Sequence, residues 1–134
     1  MTNILVLYFG YILITFSIIG FGYLSSKILS IKLSVGELGL SGILLMTILS
    51  YITNLFLPHN YIHNSFFLLI GLFYFYRLFK KKLFQKKIKL ILLLSTIIFV
   101  GILLYKNHDD FFYYHFPYTI ILTNFEKIYG LGNL

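Results

Sequence analysis

Four stretches of the chain run almost without charge. Residues 4–24 hold 21 positions with no charged side chain, and residues 38–57 hold 20 more. Residues 61–79 follow with 19 positions, marked by His63 near the start and Arg77 near the end. The last stretch, residues 90–105, has 16 positions between Lys89 and Lys106. A helix needs about 20 mostly apolar residues to cross a bilayer, so the pattern predicts four transmembrane helices. The fourth is short, and snorkelling of its flanking lysines extends it. Residues 80–89 carry six lysines. A hairpin tip with that charge inside hydrocarbon is too costly, which excludes a re-entrant third and fourth segment. The chain therefore divides into four helices with a basic loop at 80–89, over residues 1–105, and a tail, residues 106–134.

In the tail the pattern changes. Tyr118, Ile121, Leu122, Phe125, Ile128 and Tyr129 recur at three- and four-residue intervals, with polar residues between them and Ile120 the one exception. That spacing predicts an amphipathic helix over residues 118–129, with Pro117 in its first turn and Gly130 at its stop. It is too short to span, and is expected to lie in the interface with its aromatic face among the headgroups.

Composition removes the soluble alternatives. The chain of 134 residues is 59% hydrophobic and 11% charged, against about 25% charged in soluble domains. Its mean hydropathy is +0.88. Too little charge exists to coat a surface in water, whereas a lipid-facing surface can be apolar. The expected fold is an all-α polytopic transmembrane bundle with an interfacial helix at its C-terminal end. There is no cysteine, so disulfides, thiolate chemistry and Cys-ligated zinc are excluded. The first apolar stretch lacks a preceding basic residue and a small-residue cleavage site, and is expected to stay in the mature protein.

Charge sets the expected orientation. Lys27 and Lys32 lie in the first connection, and the cluster around the third holds Arg77, Lys80, Lys81, Lys82, Lys86, Lys87 and Lys89. The second connection, residues 58–60, holds no basic residue. The tail sets Lys106 and Lys127 against Asp109, Asp110 and Glu126. The positive-inside rule places the first and third loops in the cytoplasm, and the N-terminus, second loop and tail outside. The expected location is a membrane that the chain crosses several times. A basic run can also signal nucleic-acid binding. Here topology accounts for it, so no nucleic-acid partner is expected, and attraction to anionic headgroups follows as a by-product. Gly36, Gly39 and Gly42, with Ser41, read as a packing face for another helix, with Gly20 and Gly22 of the first helix as the facing surface. A dimer interface is the alternative.

Candidate chemistry collects in the tail. Asp109 and Asp110 stand together between His108 and His115. Aspartates there can cap a helix or simply be solvated. Alternatively, a carboxylate at the outer face takes a proton from a substrate hydroxyl or holds a divalent cation. The other groups able to act as a base on that side are His59, His63 and Glu126.

Asp110-Phe-Phe-Tyr-Tyr114-His115, a helix, and then Gly130-Leu-Gly-Asn133-Leu resembles the first long outer loop of polytopic bacterial glycosyltransferases of the C-type fold. These carry Asp-x-x-x-Tyr-His, a helix and Gly-Leu-Gly-Asn in that order. The resemblance implies transfer from a polyprenyl-phosphate sugar at the outer face. It gives Asp110 the catalytic carboxylate role, and Tyr114 and His115 substrate positioning. Asp109 is a second catalytic candidate and His108 a further substrate contact. Such proteins continue for many spans, so the chain reads as the N-terminal part of a larger enzyme. A polysaccharide polymerase or ligase fragment, and a small non-enzymatic accessory membrane protein, are the other readings.

Overall fold

In the computed structural model, residues 3–104 and 109–126 are described, and among them every regular element is helical. Helices α1 (Ile4–Ile28), α2 (Val35–Asn54) and α3 (Tyr61–Phe79) are each long and apolar enough to cross a membrane. A single turn, α4 (Lys82–Gln85), precedes α5 (Ile88–Leu104). After a 3₁₀ turn at Asp109–Phe111 comes α6 (His115–Asn124). The protein is an all-α bundle whose helices are those of a multi-pass membrane protein. Three of them have full spanning length. α5, with 17 residues, is about 25 Å long at 1.5 Å per residue and is the shorter apolar helix.

Local chemistry sets the helix ends. The Asn3 side chain accepts from Leu5 N–H at 3.0 Å and caps α1. At the other end, Ile31 N–H reaches the Ser26 carbonyl at 3.1 Å and Ser30 N–H the Lys27 carbonyl at 3.3 Å. This is the paired closure of a Schellman turn. It places Ser30 at φ 56, in the left-handed region usually left to glycine. α2 starts in a capping box: Ser34 N–H donates to the Glu37 carboxylate at 2.6 Å, and Glu37 N–H donates to Ser34 Oγ at 3.5 Å. Asn60 caps α3 by accepting from Ile62 and His63 N–H, both at 3.1 Å.

α1 is the central helix, packed by α2, α3 and α5. With α2 and α3 it makes contact backbone to backbone. A Cβ on Gly20 would strike the Gly71 carbonyl, and one on Gly71 would strike Ser17. A Cβ on Gly22 would strike the backbone of Leu38, and one on Gly42 the carbonyl of Ile18. Between apolar helices in lipid, such close approach supplies the packing attraction that burial supplies in water. The expected small-residue contact thus exists in part. Gly42 meets the Gly22 region of α1, but Gly20 faces α3, and a Cβ on Gly36 or Gly39 would meet open space. Phe16 stacks on Phe75 at 4.2 Å beside this seam. α5 joins through Tyr8 and Thr96. Thr96 Oγ1 donates to the Leu92 carbonyl at 2.8 Å, so Tyr8 O–H is the donor in their 2.7 Å bond.

The outward faces are apolar, with Leu5, Phe9, Leu40, Leu44, Phe66, Leu69, Leu93 and Ile97 all exposed. Water would not tolerate that surface, and lipid does. Charge gathers at one end. Nine of the eleven basic residues lie around the α1–α2 and α3–α5 connections, hereafter the basic end. The opposite end carries the α2–α3 connection and the tail, hereafter the histidine end.

Candidate functional site

Two helix ends and the tail build the histidine end. α2 finishes at Asn54, and Pro58 prevents its resumption before Asn60 opens α3. This short connection brings Thr53, near the end of α2, beside the first turn of α3. The His59 and His63 rings stack at 4.4 Å with an 8° interplanar angle. Thr53 Oγ1 lies 3.4 Å from His59 Nε2 and 3.0 Å from His63 Nε2. His63 Nδ1 is 3.3 Å from Asn64 Oδ1, and Asn64 Nδ2 donates to the His59 carbonyl at 2.9 Å.

One proton arrangement links Thr53, His59, His63 and Asn64 while both rings are neutral. His59 donates through Nε2 to Thr53, Thr53 donates to His63 Nε2, and His63 donates through Nδ1 to Asn64. Thr53 then relinquishes its 3.2 Å bond to the Ser50 carbonyl. Burial first, and the nearby His63 second, hold the His59 imidazole below the usual histidine pKa.

The tail docks here. His59 N–H donates to the Leu122 carbonyl of α6 at 2.7 Å. Tyr118 and Leu122 from α6 join Thr47, Ser50, Asn54 and His59 around a cleft of about 450 Å³. A second cleft of about 480 Å³ shares Met46 and Ser50 with it and reaches Ser17 and Asn64. Each contains a buried polar group with no hydrogen-bond partner among the described residues, Asn54 Nδ2 in the first and Ser17 Oγ in the second. Such orphaned groups are expensive in an apolar surround and mark places where a polar ligand or water would be held.

The tail residues singled out from the sequence are placed elsewhere. Asp109 and Asp110 open the 3₁₀ turn. The Asp110 carbonyl accepts from Tyr113 and Tyr114 N–H at 3.2 and 2.9 Å, and its side chain is exposed. Tyr114 stands at the N-cap of α6 and His115 is its first residue, both exposed. One turn of backbone therefore gathers Asp110, Tyr114 and His115, but the clefts are lined by other residues. His108 and the Gly130–Asn133 segment lie outside the described residues. Among the described residues, no three His, Asp or Glu side chains come together as a metal site.

α6 begins three residues before the expected 118 and ends at Asn124, where Phe125 turns extended with φ −129 and ψ 149. Pro117 still sits in its first turn, where a missing N–H costs nothing. Neither aspartate caps α6, because Tyr114 occupies that position without a side-chain bond. In the sequence His59 and His63 stand only as isolated bases. Their four-residue spacing gives no sign that Thr53 joins them, nor that Asn54 and α6 form a cleft beside them. Against protein-family models, curated proteins and solved structures alike, the chain returned no match.

Proposed function

We propose that the histidine end is the working face of this membrane protein, that it lies on the outer side, and that it serves transfer from a lipid-linked sugar in envelope glycan assembly. The observation that carries this reading is the cleft beneath α6, where Asn54 presents a buried amide nitrogen that has no hydrogen-bond partner among the described residues, beside hydroxyl groups. A receptacle of that kind, at the end of spanning helices, suits the polar head of a lipid-borne substrate. The basic end then faces the cytoplasm, as charge bias requires. Asp110 serves as the base that takes the acceptor proton, with Tyr114 and His115 positioning the sugar, and Asp109 and His108 as supporting groups. The likeness of Asp110–His115 to the acidic loop of C-type glycosyltransferases supports these roles.

Membranes containing the full protein, supplied with extracted lipid-linked donor, test the assignment. Asp110→Asn lowers transfer about 10²–10⁴-fold, with the amount of protein in the membrane unchanged. Wild-type transfer by that variant would leave Asp110 as a turn residue, and the transferase reading would then rest on topology alone. A second reading, an accessory subunit, is favoured by Gly36 and Gly39, which leave open space on α2 where a partner helix can approach. Cross-linking to another membrane protein through Gly39→Cys, in membranes whose transfer is indifferent to Asp110, would select it.

A further inference from the structure

At the basic end, α1, α2, α3 and α4 enclose a cleft of about 630 Å³ that the outer-face reading does not use. Four lysines line it, Lys27, Lys32, Lys81 and Lys87, with no acid among the lining residues. The acid at this end, Glu37, is engaged by the Ser34 N–H in the capping box of α2. Two of the lysines are held in place by an aromatic ring. Lys27 Nζ lies 5.8 Å and Lys81 Nζ 4.6 Å from the centre of the Tyr23 ring, which is itself buried. This cation–π seat fixes both ammonium groups at one mouth. Beneath them the wall is apolar and buried, formed by Leu38, Leu78 and Phe84.

Cationic groups brought to one mouth without a counter-charge repel one another, and an anion there relieves the repulsion. The apolar wall adds a second requirement. A small inorganic anion satisfies only the rim, whereas a lipid phosphate satisfies rim and wall together. Basic pockets between spanning helices are a recurring place for such headgroups. We propose that this cleft binds phosphate, presented by the headgroup of an anionic phospholipid. It differs from the diffuse attraction of the other lysines because Lys82, Lys86 and Lys89 do not line it.

The test compares two triple variants of the full chain carrying the same charge change. Purified proteins are equilibrated with vesicles of equal phosphatidylglycerol and phosphatidylcholine, and retained lipid is counted by native mass spectrometry. Wild type should retain phosphatidylglycerol in preference. Lys27→Gln/Lys81→Gln/Lys87→Gln should weaken that retention roughly a hundredfold, from about one lysine's worth of attraction lost three times over. Lys82→Gln/Lys86→Gln/Lys89→Gln should change it by less than about threefold. Lys27→Arg/Lys81→Arg/Lys87→Arg keeps the charge and should keep the lipid, which separates lost binding from lost folding. Inorganic phosphate at millimolar concentration should fail to displace the lipid. Displacement would instead assign the site to free phosphate. Equal retention of both lipids, or equal loss in the two Gln variants, would overturn the proposal.

Discussion

The two ends of the bundle are closed by opposite means. At the basic end, Phe84 on α4 is buried against Phe75 at 5.8 Å and joins the core cluster with Tyr23, Leu38, Leu78 and Ile91. The charges around it stay at the rim. At the histidine end, closure is polar: Thr53, His59, His63 and Asn64 bond to one another, and the backbone of α6 is tied on through His59. One end is an apolar plug in a ring of fixed positive charge. The other is a hydrogen-bonded circuit of histidine, threonine and asparagine side chains. One end is thus closed by apolar packing, the other by polar pairing.

The contrast is broken most completely if the two ends share a side of the membrane. Because the chain has no cysteine, Tyr113→Cys and Gln85→Cys each supply a single reactive thiol at an exposed position. An impermeant maleimide applied to intact cells should label the first and spare the second. Labelling at Gln85→Cys would reverse the assignment of sides.

The apolar plug is tested next. Phe84→Ala removes a buried ring and should cost about 3 kcal/mol, read as a lower unfolding temperature in detergent. A negligible loss would mean that α4 merely lies on the surface. Thr53→Val should leave the basic end unaltered but separate the two histidines from their shared hydroxyl.

Between about pH 7.5 and about pH 5.5, above the carboxylate range, acidification should act through the histidine end. A histidine held below its ordinary value binds protons more readily once unfolded, so its folding contribution is complete well above about pH 6.5. Stability should then fall as pH drops through that value, and level off below the folded pKa. Thermal unfolding between about pH 7.5 and about pH 5.5 should show this slope, and His59→Gln should flatten it. A slope unaffected by His59→Gln would place the sensitivity elsewhere. The smallest effect is expected at the turn leading out of α1. Ser30→Gly relieves a left-handed serine and should raise stability by about 1 kcal/mol, whereas no gain would mean that the turn relaxes in solution.

The basic end was readable from sequence because charge cannot be hidden in lipid. The third apolar stretch and α3 occupy the same residues, since Asn60 and the basic cluster mark both limits. α2 departs from the uncharged stretch at each end, for physical reasons. Counting uncharged positions starts it after Glu37, but Glu37 belongs to the capping box that begins the helix at Val35. The same counting runs on through Leu55, Phe56 and Leu57, which are apolar yet lie beyond the helix, ahead of Pro58. The histidine circuit was not readable. Thr53 and His63 are ten positions apart on different helices, and only the path of the α2–α3 connection makes them neighbours. The Asn54 cleft needs a third segment, α6, from some sixty residues further along.

The backbone contacts of α1 have a consequence for how this protein can vary. Every amino acid other than glycine carries a Cβ, and at Gly20, Gly22, Gly42 and Gly71 that atom would fall on a neighbouring helix's backbone or, at Gly71, also on Ser17. The outward positions face lipid, where one apolar side chain serves nearly as well as another. Saturation mutagenesis scored by the amount of folded protein should therefore give a sharply uneven map. Four glycine columns should be intolerant even of alanine, amid long runs on α2 and α3 that accept most apolar residues. Gly36 and Gly39, of the same residue type but opening onto free space, should accept alanine readily. The fold is thus specified by a few places where nothing can be added, while most of its apolar surface remains free to drift.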